Sequence, residues 1–266
     1  MSRTTDRQSR TRKRKNLILD ILIVLLVLVM VFCGVRIIQA LYSYHTGTKA
    51  YHALQKEAGV TEKKTGTGSR SGSSEDGIRV DWSKFNRKYP DVKAWLWQKD
   101  TVINYPVAQS SDNAYYLHRL LNGKWNGKGT LFIDFRNTHP FTKDFLTIIY
   151  GHRMRDGSMF WTLADYRKEA YRKEHPDMFL STPKGNYRLR IFAADTIPAN
   201  SPKYQFDFPG AASRRTYLRW IRAHADMYDS GVSVRARDHI VMLSTCTYEF
   251  DNARAVVFAK LEPVSK

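Results

Sequence analysis

Cys246 and Arg254 are two residues whose types and spacing could do chemistry together. Cys246 closes the apolar run 240–245, and eight residues later Arg254 opens the run 255–258. This spacing predicts a hairpin in which the end of one strand faces the start of the next, so that the guanidinium reaches the thiol. A thiolate is a nucleophile, whereas a guanidinium stays protonated and can stabilise an oxyanion but cannot act as a base.

A base must come from another segment, and His152 is the candidate among the eight histidines. It follows the apolar run 146–150 and Gly151, which puts it where a predicted strand meets a loop, and catalytic groups are common at such ends. The pattern also fits a histidine on the surface or in the core, and Cys246 could be a small buried hydrophobe. The residues alone leave these alternatives open.

Several common catalytic motifs are absent from the sequence. It contains no His-Glu-x-x-His, no Cys-x-x-Cys and no Gly-x-Ser-x-Gly, which disfavours metal catalysis and serine hydrolysis. Gly123 and Gly127 are too close for a phosphate-binding loop, and Gly129 stands where such a loop needs Ser or Thr. A glycine-rich hairpin is the better interpretation, and no metal or other cofactor is expected.

Short strands must position these residues. Runs of β-branched and aromatic residues predict strands at 101–107, 129–134, 146–150, 186–196, 240–244 and 255–261. Apolar periodicity predicts helices at 82–96 with a break near Pro90, 113–121, 161–175 and 211–228. Because strands predominate and do not alternate regularly with helices, we expect an antiparallel barrel or sandwich decorated by helices, rather than a doubly wound α/β fold.

An apolar segment near the N-terminus predicts a membrane anchor. Residues 17–35 carry Asp20 as their only charge, and a helix of nineteen residues matches the hydrocarbon thickness of a bilayer. Seven basic residues precede it within 1–16, so the positive-inside rule places the N-terminus in the cytoplasm and everything after Arg36 outside. A cleaved signal peptide is the alternative, but no small-x-small cleavage site follows the apolar run.

The chain after the anchor divides into a connecting region and a folded domain. We expect a juxtamembrane helix interrupted near Gly47, then a flexible linker over 61–77, where eleven of seventeen residues are Gly, Ser or Thr. Cys33 would lie in the membrane and therefore cannot pair with Cys246 in one molecule. The predicted organisation is a basic cytoplasmic tail, an anchor, a juxtamembrane helix with linker, and an extracytoplasmic domain, at 1–16, 17–35, 36–77 and 78–266.

The composition is globular and strongly basic. Of the 266 residues, 42% are hydrophobic, which excludes wholesale disorder. The net charge is +18; the first sixteen residues, with seven basic side chains and one Asp, supply six of these charges and the remainder carries twelve. This excess predicts attraction to polyanions, which could be nucleic acid, anionic lipid or a phosphate-rich cell wall. The predicted topology argues against nucleic acid inside the cell.

Several ordered motifs resemble the class B sortases. They are Tyr-Gly-His-Arg-Met at 150–154, Asp-Gly-Ser-Met-Phe at 156–160, and Leu-Ser-Thr-Cys-Thr-Tyr-Glu-Phe at 243–250 followed by Arg254. Asn-Tyr-Pro-Val at 104–107 and Asp-Asn-Ala-Tyr-Tyr-Leu at 112–117 also resemble that class. The similarity extends over roughly 82–261, nearly the whole predicted extracytoplasmic domain.

The resemblance implies both a fold and an activity. The fold would be a closed sortase-type β-barrel with added N-terminal helices and a helix before the cysteine strand, which 211–228 would provide. The activity would be that of a membrane-anchored cysteine transpeptidase, which needs no cofactor. It would cleave a sorting motif near the C-terminus of secreted proteins after its Thr, and transfer the acyl group to an amine of a peptidoglycan precursor or a pilin.

The resemblance also implies roles for individual residues. Cys246 would be the nucleophile that forms a thioester, His152 the general acid/base, and Arg254 the group that stabilises the substrate or the oxyanion. Ser244 and Thr245 would line the peptide groove. Two alternatives remain open: a plain cysteine endopeptidase, in which water resolves the thioester, and a noncatalytic membrane-tethered module that binds the anionic cell wall.

Some positions depart from the pattern or allow two interpretations. Arg153 stands where the family more often has an uncharged side chain. Asp112 and Asn113 could orient His152 or the substrate, but this pair is also a good helix cap. Three tryptophans could stack on wall sugars, although large aromatic residues more often belong to a core; they are Trp125, Trp161 and Trp220.

Overall fold

The computed structural model of the chain describes residues 3–63 and 77–264, with side chains from residue 18 onward except that of Lys63. The chain divides into two compact units, Met1–His45 and Thr46–Lys266. The predicted linker lies mostly at 64–76, outside the described residues. Its two ends pair as the antiparallel strands β1 (Thr61–Lys63) and β2 (Gly77–Arg79).

A single long helix, α1 (Arg3–Glu57), begins the chain. Among the described residues, its part Ile18–Glu57 is the one helix long and apolar enough to cross a membrane, with a mean hydropathy of 3.2 over its most apolar window. The predicted interruption at Gly47 is wrong, because the helix runs through it. A Cβ at Gly47 would come within 2.8 Å of Asn126 Oδ1, so this glycine permits a close approach instead of ending the helix.

The second unit begins earlier than the folded domain that the sequence predicts from residue 78. The last turns of α1 bury Tyr51 and Leu54, and Ala58 follows them fully buried. The Tyr51 hydroxyl donates a hydrogen bond to the Gly129 carbonyl. Tyr51 and Leu54, three residues apart, lie on one face of α1 that packs against the domain, and Ala58 continues this contact just after the helix ends.

Eight strands form a closed barrel. They are β3 (Val92–Trp97), β4 (Asn104–Ala108), β5 (Leu131–Ile133), β6 (Leu146–Tyr150), β7 (Asp177–Thr182), β8 (Gly185–Pro198), β10 (His239–Cys246) and β11 (Ala253–Pro263). Their order around the barrel is β11-β10-β6-β5-β4-β3-β7-β8, and β8 pairs with β11 to close it. A two-residue strand, β9 (Met227–Tyr228), pairs with β8 outside the ring. The predicted barrel is confirmed, but β10–β6 and β4–β5 are parallel pairs in it.

Several predicted elements differ from those observed. The helix predicted over 82–96 is α2 (Trp82–Lys88), after which Pro90 precedes strand β3. The helix predicted over 113–121 is a 3-10 turn, Tyr116–His118. The helix predicted over 161–175 is a 3-10 helix, Trp161–Arg167, followed by α3 (Glu169–Glu174). The helix predicted over 211–228 is α4 (Gly210–His224), which is followed by the short strand β9.

Helix α4 covers one side of the barrel. It buries Tyr217 and Ile221, four residues apart on one face, against a cluster that includes Phe145 and Phe192. The segment that leads from β8 to α4 is fixed by a buried ion pair between Lys203 and Asp195. A pair of this kind is costly to break, because the remaining charge would be buried without a partner.

We expect the N-terminal boundary of the soluble domain to affect its stability. A chain that starts at residue 46 should be more stable than one that starts at residue 78 by at least about 3 kcal/mol, because the longer chain buries the apolar face of α1 and retains the β1–β2 pairing. Urea unfolding of the two chains, followed by circular dichroism, measures the difference. Equal midpoints and slopes would contradict the packing of Tyr51 and Leu54 described above.

Candidate active site

The site lies where two parallel strands end. In the β6–β10 pair, Tyr150 is opposite Ser244, and the Gly151 amide donates a hydrogen bond of 3.1 Å to the Ser244 carbonyl. His152 lies two residues after Tyr150, and Cys246 lies two residues after Ser244. Because the strands are parallel, both residues lie at the same edge of the barrel.

A glycine is required immediately before His152. A Cβ at Gly151 would overlap the side chains of Leu131 and Phe160, which pack closely around this turn. Absence of a side chain at this position therefore lets Leu131 and Phe160 pack against the backbone at the end of β6, directly before His152.

Cys246 and Arg254 are directly opposite each other in the β10–β11 hairpin. The predicted hairpin is therefore confirmed. Cys246 is a free, half-buried thiol at the last position of β10. Arg254 is half-buried near the start of β11 and donates a hydrogen bond of 3.0 Å from Nη1 to the Ala253 carbonyl.

The imidazole of His152 is held in one orientation. Its Nε2 lies 2.7 Å from the Leu117 carbonyl oxygen. A carbonyl only accepts hydrogen bonds, so Nε2 carries the proton and, in the neutral ring, Nδ1 keeps the lone pair. The ring of His118 stacks on His152 with centroids 5.2 Å apart, and the ring of Trp125 stacks on His118 at 6.2 Å.

These surroundings lower the pKa of His152 below its ordinary value. Burial is the main cause, because it penalises the charged imidazolium. The hydrogen bond to Leu117 acts in the opposite direction, and the neighbouring His118 adds a further lowering by repulsion. The resting imidazole is therefore neutral at neutral pH, with Nδ1 available to accept a proton.

Ser244 and Thr245 are both buried within β10. The Ser244 hydroxyl lies 2.8 Å from the hydroxyl of Tyr204, while Thr245 Oγ1 has no hydrogen-bond partner among the described residues. Tyr204 comes from the segment between β8 and α4, and its side chain was not identified from the sequence. Burial raises the pKa of its phenol, which therefore stays protonated. No local pattern marks Tyr204, since only the barrel brings it to Ser244.

Asp112 and Asn113 do not contact His152. Asp112 Oδ1 accepts hydrogen bonds from the amides of Ala114 and Tyr115, at 2.8 and 2.7 Å, and so stabilises the turn that precedes the 3-10 turn Tyr116–His118. Asn113 donates through Nδ2 to Asp134 Oδ2 at 3.0 Å.

Asp134 is a buried carboxylate that the sequence analysis does not single out. Burial alone would raise its pKa, but hydrogen bonds from Arg136, Asn113 and Tyr150 outweigh burial and lower it. Its Oδ2 accepts from the Tyr150 hydroxyl at 3.0 Å. Asp134 therefore anchors the end of β6 as a charged group.

The three tryptophans have different surroundings. Trp125 is 69% exposed, so it does not belong to the core. Trp161 and Trp220 are half-buried, and Trp220 packs against the core cluster beneath α4. Over the described ranges, no three or more His, Cys, Asp or Glu side chains are grouped so as to hold a metal ion.

Comparison with known proteins gives a consistent result. No family model matches the chain. The chain is 35% identical to Sortase B of Listeria monocytogenes over 236 residues, which cover 88% of this chain and 92% of the relative. It is 28% identical to Sortase B of Staphylococcus aureus over 249 residues, covering 93% and 98% of the two chains.

The fold is also that of a solved sortase. The structure of a Staphylococcus aureus sortase B–substrate complex superposes with a TM-score of 0.71 at 26% identity, covering 84% of this chain and 100% of the other. That agreement includes the barrel whose edge holds Cys246 and His152. With 35% identity to a relative along 92% of that relative's length, the chain belongs to the class B sortases, a family of cysteine transpeptidases.

Proposed function

We propose that this sortase cleaves a short sorting motif near the C-terminus of secreted proteins after its Thr, and transfers the new acyl end to an amine. The amine would belong to a peptidoglycan precursor or to a pilin. One observation carries the proposal: parallel pairing of β6 and β10, together with the β10–β11 hairpin, gathers His152, Cys246 and Arg254 at one edge of the barrel.

Acylation would begin with transfer of the thiol proton of Cys246 to Nδ1 of His152. Sγ then attacks the carbonyl carbon of the Thr residue, and the carbonyl oxygen takes up the negative charge. As the C–N bond breaks, the imidazolium returns its proton to the departing amine, which leaves a thioester on Sγ and a neutral imidazole.

Transfer would use the same atoms in reverse order. An incoming amine attacks the thioester carbonyl and loses a proton to Nδ1 of His152, and the C–S bond breaks to form the new amide. The proton then returns to the thiolate of Cys246. Each step conserves protons, so no external cofactor is needed.

Arg254 would stabilise the oxyanion and orient the peptide. Its guanidinium cannot be deprotonated at physiological pH, so it supplies a permanent positive charge at the edge where negative charge develops. One of its donors is used by the Ala253 carbonyl, which fixes the head group. The others are available for the carbonyl oxygen of the substrate.

Ser244 and Thr245 would contribute to the peptide groove. Thr245 Oγ1 is buried and has no partner among the described residues, and a buried hydroxyl of this kind is stabilised when a ligand supplies a hydrogen bond. Ser244 would act through its hydroxyl contact with Tyr204. The complex of the Staphylococcus aureus relative is described as a sortase B–substrate complex, which supports a substrate groove on this barrel.

We further propose a type II topology. Residues 17–35 would span the membrane, the basic residues of 1–16 would remain in the cytoplasm, and the barrel would lie outside, where secreted proteins and wall precursors are found. The excess of twelve positive charges beyond the tail would favour contact with anionic walls and lipids. No nucleic acid is among the expected partners.

The first test identifies the covalent intermediate. We expect the full-length chain in detergent, incubated with a library of sorting-type peptides, to gain the mass of an acyl group, and Cys246→Ala to gain none. Addition of an amine should release an amide product, because the thioester reacts with amines. Intact mass spectrometry measures both steps.

The outcomes separate the alternatives. If every amine tried yields only the free acid, the chain is a cysteine endopeptidase. If no adduct forms with any peptide while both the wild type and Cys246→Ala bind wall polymer, the noncatalytic binding module replaces the proposal.

The rate of peptide cleavage should fall even when Arg254 is replaced by a residue that keeps the positive charge. Arg254→Lys is expected to lower kcat/KM for peptide cleavage about 100-fold, since an ammonium lacks the planar set of donors that an oxyanion requires. Arg237→Lys, at an exposed position on the segment before β10, is the matched control and should change kcat/KM less than twofold. Equal effects of the two substitutions would remove Arg254 from the mechanism.

The pH profile tests His152. Cleavage needs a Cys–His pair that shares one proton, so kcat/KM should fall as the pH drops through the pKa of His152, which burial lowers below 6.5. His118→Gln removes a neighbouring positive charge, so we expect the acid limb to move to higher pH. His224→Gln, on the exposed face of α4, should leave it in place. An acid limb that does not respond to His118→Gln would contradict this assignment.

A further inference from the structure

Arg153 and Thr247 immediately follow the two residues proposed for catalysis, and they contact each other. Nη1 of Arg153 donates a hydrogen bond of 3.2 Å to Oγ1 of Thr247. Thr247 is buried, although the next five residues of the loop are exposed. The contact thus joins the segment after His152 to the segment after Cys246.

The guanidinium of Arg153 also lies near two aromatic rings. Its Cζ is 4.6 Å from the ring centroid of Trp161 and 5.7 Å from that of Tyr248. Tyr248 is 68% exposed, so this cation–π contact joins Arg153 to a residue on the exposed part of the loop. A guanidinium can stack on rings with its faces while it donates in its plane, which a lysine cannot do.

A second arginine holds the next residue of the same loop. Arg167, at the end of the 3-10 helix, donates to both carboxylate oxygens of Glu249 and also pairs with Asp226 at 3.4 Å. Such bidentate pairs fix a carboxylate in one orientation. The loop 247–252 is therefore tied at consecutive positions to the segment that follows His152.

The backbone of this loop offers less support. Thr247 N–H donates to the Ala253 carbonyl at 3.1 Å, the Ala253 amide donates to the Phe250 carbonyl at 3.1 Å, and the Ala199 amide donates to the Asn252 carbonyl at 3.0 Å. Asn252 has a φ of 59°, in the left-handed region. The side-chain contacts at 247–249 therefore add order at positions between these backbone hydrogen bonds.

We propose that Arg153 is a positioning residue, which clamps the loop 247–252 to the segment of His152 and so keeps the Cys246 thiol aligned with the imidazole. The inference rests on the proposed catalytic roles of those two residues. Its physical basis is that reaction rates depend steeply on alignment, so that a displacement of about 1 Å can cost about 100-fold in rate. The contacts of Arg153 with Thr247, Trp161 and Tyr248 give this arginine a local role.

The experiment compares full-length variants in detergent. Arg153→Gln should lower kcat about tenfold and change KM less than twofold, because the clamp aligns the thiol and does not hold the peptide. Arg153→Lys should recover only part of the loss, since it restores the charge without the planar contacts. Arg155→Gln, which lies on the same segment but is exposed, is the matched control and should behave as the wild type.

A second measurement does not depend on catalysis. Chymotrypsin cleaves after Tyr248 and Phe250, and mass spectrometry of the fragments gives the rate at these two bonds. We expect Arg153→Gln to accelerate that cleavage about tenfold, in line with a loop that opens more often. Thr247→Val, which removes only the hydroxyl acceptor, should accelerate it less and serves if Arg153→Gln does not fold.

The two measurements distinguish the possible failures. If the wild type forms no acyl adduct but Arg153→Gln and Thr247→Val still release the loop, the clamp stands and the proposed function fails. If cleavage of the loop is the same in wild type, Arg153→Gln, Thr247→Val and Arg155→Gln, the clamp is refuted. An effect on KM alone would likewise overturn it and make Arg153 a substrate contact.

Discussion

Parallel pairing of β6 with β10 is the interaction on which the site depends. The two strands are separated by 88 residues of sequence, yet their backbone hydrogen bonds bring Tyr150 beside Ser244. Parallel strands cannot be joined by a tight turn, so the intervening chain must leave the sheet and return. It does so through β7, β8 and α4, and the β8–β11 pairing closes the ring. Closure removes the free edges and holds both strand ends in fixed register.

Buried charges then fix the segments that line the site. Lys203 pairs with Asp195 of β8, and the Tyr217 hydroxyl of α4 donates to the Lys203 carbonyl at 2.6 Å. The neighbouring Tyr204 is thereby held where its hydroxyl meets Ser244. An ion pair of this kind adds little net stability compared with apolar packing, but any arrangement that separates the two charges is strongly disfavoured. It therefore selects one conformation of the segment between β8 and α4.

The sequence predicts those parts of the structure that depend on local patterns. Residues 146–150 are recognisable as β6, and the two apolar runs around Cys246 and Arg254 predict their hairpin, because strand periodicity and spacing are local properties. Strand β3 is buried on both faces, so it lacks alternation and its run merges with the preceding helix. The contacts of Tyr204, Asp134 and Arg153 join residues far apart in sequence. Strand pairing brings them together, across β5–β6 for Asp134 and Tyr150 and across β6–β10 for Arg153 and Thr247, so no local pattern could predict them.

In the proposed chemistry His152 transfers the proton, whereas Arg254 supplies a fixed positive charge. Arg254 cannot release a proton, so all proton transfer falls to His152. The Leu117 carbonyl holds the proton on Nε2, which means that Nδ1 must both receive and return the transferred proton. Acylation and amine transfer then pass through the same atoms, and neither step favours an amine over water. Selection of the acceptor must therefore depend on the surfaces that admit the amine and exclude water from the thioester.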